Sequence, residues 1–362
     1  RRLEFMKFER LYYRVISPKR KFYHLPVYLI LKLFSFFYLW GHCFRVWAYD
    51  CNLFPSNKLE CRVISVGNLT LGGTGKTPVV MMIAEILRGN GRKPGILSRG
   101  YGGNTKNEIN VVCDGENILL STEIAGDEAV MMAKRLKNVP ILVGSDRYQT
   151  GRYAIKHFGV DTLILDDGFQ HLALKRDMNI LLFDHRRPFG NGQLFPAGEL
   201  REPKKEARRA NFVCITRYSG SSYPPGISER LIKGFPLVKS TLRLDSLSNL
   251  NNGEVLDVKR LRDQPVVAFS GIANPDDFRK LLEKSGARVS CYHPFPDHHE
   301  YTLNDIRKIE NSARKSGAKF ILTTEKDAVK VNLSSTTLPF YKVALEMEIL
   351  EGREIFNQHV LN

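Results

Sequence analysis

Short apolar runs alternate with amphipathic segments through most of the chain. Between residues 62 and 216 the runs have strand length, and the amphipathic segments 78–88, 127–137 and 147–157 show helical spacing. This alternation is typical of an α/β fold with a mostly parallel sheet and helices on both faces. The predicted strands are 62–66, 94–98, 109–113, 140–143, 162–165, 179–183 and 212–216.

A second α/β pattern follows residues 218–226, a turn-rich segment of Ser, Pro, Tyr and Gly. A chain of 362 residues is too long for one ordinary core, so more than one domain is expected. We predict an N-terminal segment 1–50, a core domain 51–220 and a smaller C-terminal α/β domain 221–362. The elements predicted in the last part are strands 266–270, 289–292 and 320–323 and helices 276–285 and 303–316.

The N-terminal segment contains the most apolar stretch of the chain, residues 25–49, interrupted by Lys32, His42 and Arg45. Dense Phe, Tyr and Trp beside basic flanks favour a helix that lies in the headgroup zone of a membrane. A helix packed on the protein's own core and a spanning helix are the alternatives. A signal peptide is not indicated, because a long basic lead precedes the run and no small-residue cleavage site follows it. The sequence leaves two alternatives for the first residue of the protein: Met6, or a residue upstream of Arg1.

The formal net charge of +16 requires an acidic partner: nucleic acid, anionic lipid or a phosphorylated substrate. Residues 1–50 carry ten Lys or Arg and three acidic residues, so +7 of the charge adjoins the apolar stretch. No basic motif interleaved with aromatic residues occurs, and therefore no nucleic-acid partner is expected. The six cysteines show no C-x-x-C spacing, which favours free thiols in a reducing compartment.

A phosphate-binding loop is predicted between the first strand and the first core helix. Residues 70–77 form a glycine-rich turn that ends in Gly75, Lys76 and Thr77. Glycines allow several backbone N–H groups to face one phosphate, while the lysine reaches the β- and γ-phosphates and the threonine holds Mg²⁺. Thr70 stands where the usual G-x-x-x-x-G-K-[ST] pattern has its first glycine.

Two adjacent carboxylates, Asp166 and Asp167, follow the strand 162–165. Parallel sheets place ligands at the carboxyl ends of their strands, and Mg²⁺ takes one or two carboxylates together with phosphate oxygens. A magnesium site is therefore favoured over a solvated Asp-Asp-Gly turn.

Three further clusters carry candidate chemistry with simpler alternatives. Asp127 opens a predicted helix, where spacing alone does not distinguish a catalytic carboxylate from a cap. The loop 297–300 has the sequence Asp-His-His-Glu. These residues could act in acid–base catalysis, bind a metal or simply be exposed at the surface. Residues 323–327 are expected either to contact a nucleotide base or to cap a helix. A turn after the second strand carries Arg99 and Tyr101, suited to a phosphate or sugar, and the basic run 204–209 has the pattern of a solvated face.

Together these segments resemble the lipid A 4′-kinases (tetraacyldisaccharide 4′-kinases) of Gram-negative bacteria, in family order over about residues 25–330. In this family the loop also looks like Gly-Asn-Leu-[ST]-x-Gly-Gly-x-Gly-Lys-Thr, so Thr70 fits the resemblance. The matching motifs are SVGNLTLGGTGKTP at 65–78, LSRGYGG at 97–103, AGDE at 125–128, LDDGFQH at 165–171, LFPAG at 194–198 with LREP at 200–203, FPDH at 295–298 and TTEKDAVK at 323–330.

The resemblance implies a P-loop NTPase-type core whose smaller C-terminal domain closes over the nucleotide. It implies that ATP and Mg²⁺ are used to phosphorylate the 4′-hydroxyl of a tetraacylated glucosamine disaccharide 1-phosphate. The expected partners are that lipid and the surface of the inner membrane. The protein would lie on the cytoplasmic face of that membrane, as a peripheral or monotopic protein.

The same resemblance assigns roles to individual residues. Asp127 would be the catalytic aspartate near the attacking hydroxyl, supported by His298, with Lys76 as the catalytic lysine; His299 leaves open which imidazole acts. The nucleotide would be bound by Thr70, Leu71, Gly72, Gly73, Thr74, Gly75, Lys76 and Thr77. The metal would be held by Thr77, Asp166, Asp167 and Glu202, and the substrate would be contacted by Tyr101, Arg147, Arg201, Gln170 and His171.

Two other classes share parts of this pattern. A membrane-associated partitioning-type ATPase has a signature lysine at the position that Leu71 occupies here. A GTPase module would read guanine through residues 324–327.

Overall fold

The structure, a computed structural model, describes residues 11–362 apart from 106, 221–233, 273, 298, 332, 334, 335 and 337. The described strands are β1 Arg62–Asn68, β2 Pro94–Ser98, β3 Asn110–Cys113, β4 Ile141–Val143, β5 Thr162–Asp166, β6 Met178–Asp184, β7 Phe212–Thr216, β8 Leu237–Asn249, β9 Val255–Asp257, β10 Pro265–Ser270, β11 Arg288–Pro294, β12 Phe320–Thr324 and β13 Phe340–Glu351. The principal α-helices are α1 Leu25–Asp50, α2 Lys76–Gly89, α3 Thr122–Ala125, α4 Asp127–Arg135, α5 Arg147–Phe158, α6 Pro275–Lys284, α7 Leu303–Ser316, α8 Glu325–Ala328 and α9 Arg353–Leu361.

The chain divides into two compact units, and the first combines Arg1–Pro94, Arg147–Thr241 and Ile349–Asn362. Its strands β5, β1, β6 and β7 pair in that order and are all parallel. β1, β5, β6 and β7 are almost wholly buried, as expected for parallel strands that are covered on both faces. The carboxyl ends of all four strands therefore lie at one edge of the sheet, where α/β proteins place their ligands.

The second unit combines Gly95–Asp146 and Leu242–Glu348. Here β4 pairs in parallel with β2 and antiparallel with β3, and β11, β10, β12 and β13 form a parallel series in that order. Phe269 and Phe340 pack against Ile306 and Ile309 of α7 in its core. The amphipathic pattern of α7 explains this packing, because its apolar residues recur on one face.

The α/β class is confirmed, and each strand and helix predicted from periodicity is present. The predictions for β2, β7 and α7 have the observed bounds, whereas the others differ by one or two residues at an end. β8, β9, β13, α3 and α9 were not predicted. The three-part division 1–50, 51–220 and 221–362 remains a prediction, and most of the turn-rich segment 218–226 lies outside the described residues.

Helix α1 has an unusual distribution of side chains. Among the described helices, α1 together with the short helical turn before it, Phe22–Asp50, is long and apolar enough to cross a membrane. Most of its large apolar side chains are exposed, including Phe36, Phe37 and Trp40. The residues that it buries are Tyr28, Ser35, His42 and Ala48, so two of its polar side chains are turned toward the protein while most of its large apolar ones are not.

Candidate active site

The glycine-rich loop lies between the end of β1 at Asn68 and the start of α2 at Lys76. Gly72 and Gly75 adopt φ angles of 98° and 85°, which glycine tolerates and other residues rarely do. The loop carbonyls are fixed from the end of β7: Thr216 Oγ1 donates to the carbonyl of Thr74 at 2.8 Å, and Arg217 Nη1 donates to that of Gly73 at 2.9 Å. These bonds set the peptide planes of a loop that ends at a helix N-terminus, where an anion is favoured.

Other contacts hold the start of the loop. Asn68 Nδ2 donates to the carbonyl of Thr70 at 2.9 Å, and the N–H of Leu71 donates to the carbonyl of Glu199 at 2.7 Å. Thr70 is buried and bridges to Leu200. The threonine in place of a first glycine therefore fits a loop that is bonded to the segment 199–201.

Lys76 and Asp167 form the charged centre of the first unit. Lys76 Nζ lies 3.6 Å from Asp167 Oδ1 and donates to Asn68 Oδ1 at 3.2 Å, while Arg201 Nη1 donates to Asp167 Oδ2 at 2.7 Å. Burial would raise the pKa of Asp167, but Lys76 and Arg201 outweigh it and hold the pKa below its usual value. The Asp167 side chain is therefore an anion at neutral pH.

The two aspartates follow β5 directly. Asp166 ends the strand opposite Val66 of β1 and is buried, and Asp167 has a φ of 56°, a left-handed conformation that is uncommon outside glycine. Strained backbone of this kind clusters at functional sites. Within the described part of the chain, Asp167 Oδ1 is buried and has no hydrogen-bond partner apart from the ion pair with Lys76 at 3.6 Å. A carboxylate oxygen in this position fits a hard cation such as Mg²⁺.

The charged centre formed by Lys76 and Asp167 is linked through Asn68 to a further group of predicted site residues. They are Glu202, Gln170 and His171. Glu202 is fully buried, and its carboxylate contacts the guanidinium groups of Arg45 and Arg209. Gln170 Nε2 donates to Glu202 Oε2 at 3.3 Å and to the carbonyl of Asn68 at 2.9 Å. These contacts favour a structural task for Glu202, and its assignment as a metal ligand remains a prediction.

Two further residues of the first unit were predicted to contact substrate. The backbone N–H of His171 donates to the carbonyl of Gly168 at 3.0 Å, which closes the turn after the aspartates. Arg147 begins α5 and is buried. Their substrate contacts stay predictions.

In the second unit, Asp127 begins α4 and is only 4% exposed. Lys330 Nζ lies 3.1 Å from Asp127 Oδ2 and 3.6 Å from Asp327 Oδ1. A Cβ at Gly126 would lie 2.6 Å from the carbonyl oxygen of Tyr101, so the exposed Tyr101 turn passes close to the start of this helix. Asp127 is therefore a buried carboxylate that is paired with the Lys330 ammonium group. A carboxylate that only caps a helix at the surface does not need such a partner.

The segment 323–330 supplies the partners of α4. Lys326 Nζ pairs with Glu128 at 3.4 Å and with Asp297 at 3.0 Å. Burial lowers the pKa of Lys326, but the neighbouring carboxylates outweigh it and raise the pKa above its usual value. Thr324 caps α8 by accepting from the N–H of Asp327 at 3.1 Å. The capping interpretation of this segment thus has a structural basis, and contact with a base stays untested.

His298 lies outside the described residues, so its assignment stays a prediction. His299 is described: its Nε2 lies 3.1 Å from Asp305 Oδ2, and its ring stacks on Phe295. Asp305 also closes the capping box of α7 with Thr302. His299 therefore has a structural task at the start of this helix.

Sequence reasoning did not single out Asn68, Thr216, Arg217 or Lys330. Asn68 and Lys330 lie inside motifs that were noted for other residues. Thr216 and Arg217 come directly after a buried strand, and polar residues at strand ends are the signal that could have identified them.

A buried parallel strand, a glycine-rich loop and a helix that begins with lysine define the first unit as the nucleotide-binding core of a P-loop protein. The family model described as tetraacyldisaccharide-1-P 4′-kinase matches residues 27–362. The chain belongs to this family.

Relatives and a solved structure agree with that family. Tetraacyldisaccharide 4′-kinases of Syntrophus aciditrophicus and Geobacter sulfurreducens are 44% and 40% identical, covering 90% and 85% of this chain and 90% and 85% of the relatives. The structure is similar to a crystal structure of the "apo" form of LpxK from Aquifex aeolicus in complex with ATP, with a TM-score of 0.75 and 32% identity over 93% of this chain and 100% of that one.

Proposed function

We propose that this protein transfers the γ-phosphate of ATP to the 4′-hydroxyl of a tetraacylated glucosamine disaccharide 1-phosphate, a step in lipid A biosynthesis. The observation that carries the proposal is the P-loop centre, in which Lys76 Nζ and Asp167 Oδ1 lie 3.6 Å apart beside a loop in which Gly72 and Gly75 have positive φ angles. Membership of the 4′-kinase family supplies the acceptor.

The P-loop residues supply binding and charge neutralisation. Backbone N–H groups of 70–77 and the N-terminus of α2 would bind the phosphates, and Lys76 would neutralise charge on the β- and γ-phosphates. Thr77, Asp166 and Asp167 would hold Mg²⁺, which supplies further neutralisation of the phosphate oxygens. Glu202 would stabilise this set of ligands indirectly, by accepting a hydrogen bond from Gln170. Arg201, which already orients Asp167 at 2.7 Å, would also face the substrate phosphate.

Asp127 would act as the general base for the 4′-hydroxyl. Lys330 Nζ contacts this carboxylate at 3.1 Å and orients it, and a fixed orientation is what a general base requires. His298 would support this carboxylate, and Tyr101, Arg147, Gln170 and His171 would contribute to substrate positioning.

The proposed activity is tested with purified protein, ATP, Mg²⁺ and tetraacylated disaccharide 1-phosphate in detergent micelles. We expect a bis-phosphorylated lipid detectable by thin-layer chromatography and mass spectrometry, and no product after chelation with EDTA. Addition of excess Mg²⁺ should restore the product. A protein that leaves this lipid unchanged but hydrolyses ATP or GTP would indicate the partitioning-type ATPase or GTPase alternative.

We also propose that α1 rests in the membrane interface on the cytoplasmic face of the inner membrane. The apolar side chains on its outer side would contact lipid, and basic residues flanking the apolar stretch would contact anionic headgroups. ATP as phosphate donor and the free-thiol pattern both favour the cytoplasmic side. The outward apolar residues are Leu29, Ile30, Leu33, Phe34, Phe36, Phe37, Trp40, Phe44 and Trp47.

Replacing Phe37 and Trp40 together with serine is expected to weaken vesicle binding, because each aromatic ring contributes roughly 2 kcal/mol when it is buried in the interface. The measurement is co-sedimentation with vesicles of phosphatidylethanolamine and phosphatidylglycerol. Thr105→Ser, a polar change in the second unit, serves as the control. Equal sedimentation of all three proteins would favour the interpretation of α1 as a helix packed on the protein.

A further inference from the structure

Four polar residues form a stripe along α1. Ser35, Tyr38, His42 and Arg45 are spaced by three or four positions, so they lie on one face of the helix. In a water-exposed helix such a polar stripe faces solvent, whereas here it contacts the segment 194–206. Ser35 Oγ donates to the carbonyl of Leu194 at 2.9 Å and accepts from the N–H of Ala197 at 2.9 Å.

One line of contacts leads from the stripe to Asp167. Tyr38 Oη donates to the carbonyl of Arg201 at 2.7 Å, and the Arg201 guanidinium donates to Asp167 Oδ2 at 2.7 Å. The Arg201 backbone N–H donates in turn to the carbonyl of Leu69, just before the P-loop, at 2.7 Å. Tyr38 therefore fixes the residue that orients the carboxylate.

A second line leads to Lys76. Arg45 Nη2 donates to Glu202 Oε1 at 3.2 Å, and Gln170 bridges Glu202 Oε2 to the carbonyl of Asn68. Asn68 Oδ1 accepts from Lys76 Nζ at 3.2 Å. Because Glu202 is fully buried, a shift of its carboxylate away from its cationic partners leaves a charge unpaired and is strongly disfavoured.

We infer that α1 is part of the scaffold of the active site as well as a membrane contact: Tyr38 and Arg45 are positioning residues that hold Asp167 and Lys76 through Arg201, Glu202 and Gln170. The inference rests on the proposed kinase function. It predicts that the face of α1 turned toward the protein controls turnover, whereas its outward face controls membrane binding.

The test combines Tyr38→Phe and Arg45→Gln in the full-length chain and measures kcat, the KM for lipid and vesicle binding. We expect kcat in micelles to fall at least about tenfold, since loss of residues that orient a ligand set typically costs ten- to a hundredfold. The KM for lipid and vesicle co-sedimentation should stay within about twofold of wild type. Arg45→Lys, which keeps the charge near Glu202, should retain most of the turnover.

Lys32→Gln is the matched control. Like Arg45→Gln it removes one positive charge from α1, but the Lys32 side chain is exposed. It should keep the wild-type kcat. Thermal unfolding checks that the double variant is folded; if it is not, Tyr38→Phe alone, which removes one oxygen atom, is assayed in its place. A wild-type kcat in the folded variant would overturn the inference while leaving the kinase function intact, whereas inactive wild-type protein would overturn the proposed function.

Discussion

Replacing Asp127 with asparagine is expected to lower kcat by about 10²- to 10⁴-fold, the range that a positioned general base contributes. Asparagine has nearly the same shape but cannot accept the proton of the 4′-hydroxyl. The ion pair with Lys330 at 3.1 Å would also be lost. Because the backbone N–H groups of the P-loop and Lys76 are proposed to bind the phosphates, we expect the affinity for ATP to change little.

Glu128→Gln is the matched control for this variant. Glu128 is the next residue of the same helix and pairs with Lys326 at 3.4 Å, but its side chain is 40% exposed. Neutralising an exposed partner of this kind costs little, so turnover should stay within about threefold of wild type. Single-turnover kinetics with saturating ATP and lipid separate the chemical step from binding. Near-normal rates for Asp127→Asn would reduce Asp127 to a helix-terminal charge worth about 1 kcal/mol.

The elements of the P-loop core could be predicted because their signal is local. β1, β5 and β7 are short, mostly apolar segments, and α2 has helical spacing directly after Gly75. A buried parallel strand has one pattern whatever its neighbours are, so periodicity alone identifies it. The same reasoning predicts Asp166 and Asp167 at a strand end, where the structure has them.

β8 and β13 were not predicted, although both alternate along much of their length. β8 contains Lys239, Arg243 and Asp245, and β13 contains charged residues at several positions. Their half-buried faces dilute the apolar signal, and pairing with distant strands decides their state. A local sequence pattern carries no information about such long-range strand pairing.

The contacts of α1 could not be predicted for a related reason. Lys32, His42 and Arg45 interrupt the apolar stretch, yet the sequence does not reveal which residues pair with them. The partners of His42 and Arg45 are Glu202 and Glu206, about 160 positions away in the chain. Only the fold brings those carboxylates to the same face of the helix.

Replacing Lys76 with methionine is expected to lower kcat by about 10²- to 10³-fold, because one preorganised charge on the transferred phosphoryl group contributes about that much. Methionine keeps most of the apolar length of the side chain. Arg201 remains 2.7 Å from Asp167, so the buried carboxylate still has a cationic partner and the fold should persist.

The matched control is Lys156→Met, the same substitution at an exposed position of α5, which should leave turnover within about twofold of wild type. Product formation and isothermal titration with ATP measure chemistry and binding separately. We expect Lys76→Met to lose more in kcat than in ATP affinity, since the backbone N–H groups of the loop also bind the phosphates in the ground state. A variant that binds ATP poorly but turns over at the wild-type rate at saturation would show that Lys76 contributes ground-state binding alone, and the transition-state charge would then have to be neutralised by other groups.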